Sequence, residues 1–285
     1  MPTTTIGTTL GAVALLALGL GATPAHAAFD AATAKAVDAA LAGDHRSAEN
    51  KARDVYRKPR EVLEFVGLRR DMTVVEMSPG AGWYTEILGP VLADQGRLYA
   101  AQFALNDVPT YQRRLLGSFL TKLAATPDLY KSTVITHFAP PYALEVAPRG
   151  SADLVLTFRN LHNWAAENEA GVSWSNVAFK AMYDALKPGG TLGIVDHRWP
   201  DPKTENPADR NGYISEERTI RLAEAAGFKF AARSEVLRNP KDTHDHPRGV
   251  WTLPPSLALG EQDLDRYLAI GESDRYLLTF TKPTE

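Results

Sequence analysis

Cysteine is absent from this chain of 285 residues. That excludes disulfides, thiolate zinc sites, a cysteine nucleophile and a lipid-modified N-terminal cysteine. A basic excess is absent too. The formal net charge is −3, so bulk electrostatics favour neither nucleic acid nor an anionic membrane surface. Apart from His26, no acidic or basic side chain occurs before Asp30. Within that uncharged stretch Leu10 to Ala22 is a continuous apolar or small run, shorter than the ~20 residues a membrane span needs. Ala25-His26-Ala27 has the small-x-small form that signal peptidase reads, although the segment before the run lacks Lys and Arg. Residues 1–27 are therefore expected to be a secretory signal peptide, which makes the mature chain periplasmic or secreted, with no stable membrane insertion after cleavage. The alternative is a buried N-terminal helix in a cytoplasmic protein.

What is present is an alternation of strands and helices. Residues 28–70 read as a helical cover, Ala-rich and then charged, with Pro59 opening a last helix that stops at Gly67. From residue 71 to 285, apolar runs at Thr73–Glu76, Gly96–Ala101, Ser132–Thr136, Ala152–Phe158 and Thr191–Val195 alternate with helical patterns. Two further strands, Phe228–Glu235 and Arg275–Thr281, follow a helix over Ser215–Ala226. This order predicts an α/β fold with a parallel sheet covered on both faces. The stretch from Asn239 to Leu259, rich in Pro, His and Asp, reads as an irregular solvated loop. Its Asp242-Thr243-His244-Asp245-His246 run has ligand-type residues for a divalent cation, but such Pro-flanked polar runs are more often solvated, and no metal is expected.

The most informative segment is Val74-Val75-Glu76-Met77-Ser78-Pro79-Gly80-Ala81-Gly82. A buried strand ends on a carboxylate, turns through Pro-Gly-x-Gly and enters a helix, the arrangement that sets a nucleotide-like ligand at a helix N-terminus. A dinucleotide fingerprint wants a third glycine three residues on; here that position is Thr85. A pyrophosphate site, and with it a nicotinamide-dependent oxidoreductase, is therefore poorly supported.

With that loop in place, the chain resembles the class I S-adenosylmethionine (SAM)-dependent methyltransferases, and more narrowly a group of bacterial predicted methyltransferases. The resemblance runs from about Asp71 to Lys282. It rests on V-V-E-M-S-P-G-A-G, D-L-V-L-T-F-R-N-L-H from Asp153, L-K-P-G-G-T-L-G-I-V-D, and A-A-G-F followed by two strands. It implies a doubly wound, Rossmann-like sheet of seven strands with the last antiparallel, SAM as cofactor, and a small or medium-sized acceptor. It also implies cofactor contacts from Glu76, Ser78, Pro79, Gly80 and Gly82. Two absences set this chain apart. Ser78 stands where the family usually has glycine, and the second strand ends in Ala100-Ala101-Gln102 without the acid that usually accepts from the ribose hydroxyls. Gln102 can accept through its amide oxygen, with Asp107 as a substitute.

Candidate chemistry lies at the carboxyl ends of the strands, where open α/β sheets bind ligands. His162 is the first candidate for general base, because imidazole titrates near neutrality. Asn160 would orient the acceptor and Trp164 would wall it. His197 is the alternative base, with Asp196 as its orienting partner or a cofactor neighbour. On the N-terminal cover, Asn50, Arg53, Tyr56 and Arg57 share a helical face, and Tyr56 is the candidate lid over the cofactor. Export creates a conflict, because SAM is made in the cytoplasm. The alternative function is therefore an exported, non-catalytic binding protein that keeps the fold.

Overall fold

The computed structural model describes Met1, residues 28–106 and residues 108–284; the signal-peptide expectation and Asp107 lie outside them. Among the described residues no helix is long and apolar enough to cross a membrane.

The helical cover comprises α1 (Ala31–Ala42), α2 (Ala48–Ala52), α3 (Asp54–Arg57) and α4 (Pro59–Phe65). Three of these starts have a local cause. The Asp30 carboxylate accepts from the backbone of Ala32 and Thr33, Ser47 caps α2, and Pro59 occupies the first turn of α4. Gly67 has φ +73°, just past the end of α4. Then follow β1 (Thr73–Met77), α5 (Thr85–Leu92), β2 (Arg97–Gln102), α6 (Thr110–Ala125), β3 (Thr133–His137), β4 (Ala152–Phe158), α7 (Leu161–Ala165), α8 (Ser175–Ala185), β5 (Leu186–His197), α9 (Glu216–Ala225), β6 (Lys229–Ser234), α10 (Leu264–Ile270) and β7 (Arg275–Thr281).

The seven strands form one sheet in the order β3-β2-β1-β4-β5-β7-β6, with β7 antiparallel to both neighbours and the first five parallel. This is the expected architecture. Successive residues of β1 serve opposite faces. Val74 packs with Ile87 and Leu88 of α5 and with Val37, Val62 and Leu63 of the cover. Val75 and Met77 pack with Phe179 and Met182 of α8, on the other face. The cover thus shares a core with the sheet. Expected boundaries moved by a few residues, and α7 and α10 are short helices without an expectation in the sequence.

The segment after Asn239 departs further from expectation. It is anchored by Asp242, which is 3% exposed. Its carboxylate accepts from the Tyr213 hydroxyl (3.0 Å), His246 Nε2 (2.8 Å) and the backbone of His244 (3.0 Å) and Asp274 (2.8 Å). Asp242 and His246 thus form a buried hydrogen-bond centre, because a buried carboxylate must be met by donors, while Thr243 and Asp245 between them are exposed.

Candidate active site

β1 and β2 lie next to each other, and β1 and β4 do too, so the crossover at β1 opens a cleft beyond the carboxyl ends of the strands. A cavity of about 1100 Å³ occupies it, at or above the ~300–1,000 Å³ of single-ligand clefts. Its floor is the loop after β1. Ser78, Gly80 and Gly82 have φ of +45°, +63° and +78°, a left-handed region costly for side chains with a Cβ. Ser78, Pro79 and Gly80 line the cavity. A Cβ added at Gly80 would meet only Leu115, at 3.9 Å, and would otherwise project into open space; one at Gly82 would come within 3.0 Å of Phe119. Gly80 therefore keeps room for a ligand, and Gly82 admits α6.

Two expected ligand contacts are turned elsewhere. Glu76 shares a face of β1 with Val74, so its carboxylate points under α5, where Thr85 Oγ1 donates to it at 2.6 Å. It is buried and does not line the cavity. Burial pushes its carboxyl up to about 7, against the Thr85 hydrogen bond and the Lys122 charge. Gln102 spends both ends of its amide on the protein: Nε2 donates to Gly80 O (2.7 Å), and Oε1 accepts from the Phe103 backbone (2.9 Å). It braces the glycine loop rather than facing a ribose.

Beyond β4, α7 carries the other candidates. Asn160 lines the cavity, and its amide NH2 is fixed on Met77 O (3.0 Å) and Thr157 Oγ1 (3.3 Å), which leaves its carbonyl oxygen to accept. His162 Nδ1 pairs with Asp196 Oδ1 at 2.7 Å, and Asp196 Oδ2 accepts from the His162 backbone at 3.1 Å. This sets the tautomer with the proton on Nδ1, and Nε2 meets the Asn163 amide at 2.9 Å. Trp164 and Trp251 wall the space, with the Trp251 ring 6.1 Å from that of His162. Asp196 is 0% exposed and does not line the cavity; it orients His162.

His197 also faces the cavity, and its ring centre lies 5.3 Å from that of His162. Burial first, then the charges of His162, Arg275, Arg159 and Arg57, push its pKa well down, so it is neutral at pH 7. His162, Asp196 and His197 bring ligand-type atoms within 4.8 Å of one another. The Asp196 oxygens are already met by His162 and by the His197 backbone, and the guanidiniums around His197 oppose a second cation there.

The cover contributes Asn50, Arg53 and Arg57 to the cavity wall. Tyr56, the expected lid, is one position off that face and packs on Gly271, where a Cβ would come within 2.5 Å of its ring. Trp83 lines the cavity under the Arg57 guanidinium, 4.5 Å from its ring centre. Tyr84 instead stacks on Phe158 at 3.5 Å. The charged side chains lining the cavity are Arg53, Arg57, Lys122, Arg159 and Arg275, and among the described residues no carboxylate lines it. Neither Arg159 nor Arg275 was singled out from the sequence. The available signal was an arginine directly after an apolar strand and another opening the last strand.

No protein-family model matches the chain, and no curated protein matches it in sequence. Solved structures do match. A SAM-dependent methyltransferase from Aquifex aeolicus superposes with a TM-score of 0.52 at 17% identity, covering 81% of this chain and 93% of that one. Its fold is that of the SAM-dependent methyltransferases. The geranyl diphosphate C-methyltransferase from Streptomyces coelicolor, solved with Mg2+, geranyl-S-thiolodiphosphate and S-adenosyl-L-homocysteine, gives 0.51 at 12% identity over 86% of this chain and 84% of that one. The (4+2)-cyclase SpnF gives 0.53 at 15% identity over 92% of this chain and all of that one. Among the similar structures, then, one is named for cyclisation rather than methyl transfer.

Proposed function

We propose that this protein transfers a methyl group from SAM to a small or medium-sized acceptor. The observation that carries the proposal is the β1 loop. Left-handed Ser78 and Gly80 hold backbone against an open cavity at the sheet crossover, and only a glycine at position 80 keeps that space clear. Ser78, Pro79 and Gly80 would hold the amino-acid end of the cofactor. The fit is weaker at the ribose, where Gln102 is turned away and the polar side chains lining the cavity beyond β2 are Asn106, Tyr111, Gln112 and Lys122 among the described residues. The cofactor would supply an activated methyl group on a positive sulfur, a good leaving group.

The chain's part is alignment and proton removal. With the cofactor bound, the acceptor's nucleophilic atom would gain the methyl as the methyl–sulfur bond breaks, and its proton would pass to His162 Nε2. His162 is better placed than His197, because the Asp196 carboxylate faces the positive charge His162 would gain. His197 would gain the same charge among guanidiniums. The Asn163 amide occupies Nε2 now, and an acceptor hydroxyl or amine would displace it.

The test uses SAM labelled in its methyl group, mixed with the protein and a small-molecule extract. Label is expected in a product with the wild type. His162→Ala should slow that transfer ~10²–10⁴-fold, the worth of a general base, while cofactor affinity stays within threefold. Transfer unchanged by that substitution would remove the base role. SAM bound without transfer to any acceptor would favour the second reading, a binding protein that keeps the fold. That reading draws on the expected export signal and on a second strand that ends in Gln102 rather than the usual ribose acid.

A further inference from the structure

Three arginines meet one carboxylate beside His197, and a fourth, Arg159, stands nearby. Glu272 accepts from Arg53 Nε at 2.6 Å, from Arg57 Nε at 3.3 Å and from Arg275 Nη2. Burial alone would raise the Glu272 carboxyl, but the charges of Arg275, Arg57, Arg53 and Arg159 outweigh it and hold the group well below the usual range. One carboxylate does not satisfy this set. Arg53 Nη2, Arg57 Nη2 and Arg275 Nε are buried without a hydrogen-bond partner, and the Arg57 and Arg275 side chains are 3% and 2% exposed. The Arg159 guanidinium has no hydrogen bond or ion pair among the described residues. Withdrawal from water and the Arg275 charge lower its pKa to about 10, and Arg57 is lowered by burial and then by the Arg159 charge. Guanidiniums held this close repel one another unless an anion lies between them.

SAM is itself net positive and has a single carboxylate, so it does not balance this set. The cluster runs from the edge of the glycine loop, where Arg57 lies over Trp83, to the far side of the cleft, where Arg159 follows β4 and Arg275 pairs in register with His197 of β5. From Trp251 through His162 and His197 to Arg275 the cavity changes from an aromatic wall to a proton acceptor to a cationic end.

We propose that Arg57, Arg159 and Arg275, with Arg53 at the edge, form a subsite for an oxyanion, phosphate or carboxylate, carried by a ligand whose apolar body rests near Trp251 and His162. Calling that ligand the methyl acceptor rests on the methyl-transfer reading; the oxyanion site does not. Guanidiniums suit this task because their planar fork matches oxyanion geometry.

Calorimetry of the protein with phenyl phosphate, benzoate and benzyl alcohol, each with and without SAM, tests the assignment. The expected result is binding of at least one of the two oxyanions, weakening with salt, and no measurable binding of benzyl alcohol. Tighter phenyl phosphate assigns a phosphate, and tighter benzoate a carboxylate. Arg159→Gln should weaken the bound oxyanion tenfold or more, Arg159→Lys should recover part of the loss, and SAM affinity should stay within threefold in both. Failure of both oxyanions to bind, or binding indifferent to Arg159→Gln, overturns the subsite. So does a tenfold loss of SAM affinity in Arg159→Gln with the oxyanions competing against SAM, because the arginines would then hold the cofactor's own carboxylate. Oxyanion binding that depends on Arg159 without any SAM binding upholds the subsite and overturns methyl transfer.

Discussion

Asp242 and Glu272 are both buried carboxylates at the carboxyl end of the sheet, but the groups around them are balanced differently. Asp242 receives a tyrosine hydroxyl, an imidazole and two backbone amides, all within 3.1 Å. Glu272 stands alone against three guanidiniums in contact and a fourth nearby, several of whose nitrogens are left unpaired. The first network is complete and faces the protein. The second is incomplete and faces the cavity. A buried polar group that the fold satisfies is part of the fold's own stability; one that it leaves unsatisfied points to something the fold expects to bind.

Substitutions at the two places should therefore separate stability from binding. Asp242→Ala strands four donors at once, and thermal unfolding should show a loss of at least ~3 kcal/mol. Arg159→Gln has no protein partner to lose and should change stability by less than ~1 kcal/mol. A large loss at Arg159 with little at Asp242 would invert the comparison.

Glu76 lies between these cases, being buried with only the Thr85 hydroxyl on its carboxylate. Its folded pKa of about 7 stands above the ordinary 4.5, so its stabilising contribution is full below pH 4.5 and is lost as pH rises to about 7. Denaturant titrations across that window should show wild-type stability falling up to ~3 kcal/mol more than that of Glu76→Gln. Equal slopes would mean that the carboxylate is better satisfied than its contacts suggest.

The smallest effect is expected at Ser78, whose left-handed φ and buried, unpartnered Oγ both carry a cost. Ser78→Gly should raise stability by up to ~1 kcal/mol, the conformational relief less the extra chain entropy of glycine. A loss instead would show that the hydroxyl has a partner in the protein.

These differences follow the limits of what the sequence makes legible. The β1 loop, the Pro59 helix start and the alternation of strands and helices were expected, because turn chemistry and apolar runs are local, whereas the antiparallel β7 was expected only from the family resemblance. The pairing of a histidine with Asp196 was expected too, although it orients His162 rather than His197. Glu76 and Gln102 were expected at the ligand; Glu76 turns under α5 with the strand pleat, and Gln102 braces the glycine loop through hydrogen bonds that its neighbours decide. Tyr56 missed by a single helical position. The arginine cluster joins α3, the end of β4 and the start of β7, segments more than a hundred residues apart, and no local pattern announces it. The Asp242 run shows the reverse, a local pattern that reads as solvated but buries Asp242 and His246 in hydrogen bonds to distant segments.

The central claim is that the β1 loop and its cavity hold SAM. Calorimetric titration of the wild-type protein and of Gly80→Val with SAM tests it most directly, because a branched side chain at φ +63° would project into the space the backbone leaves open. The account predicts saturable binding to the wild type and none to Gly80→Val, whose overall fold is checked by circular dichroism. Absence of binding to the wild type at hundreds of micromolar SAM would contradict it.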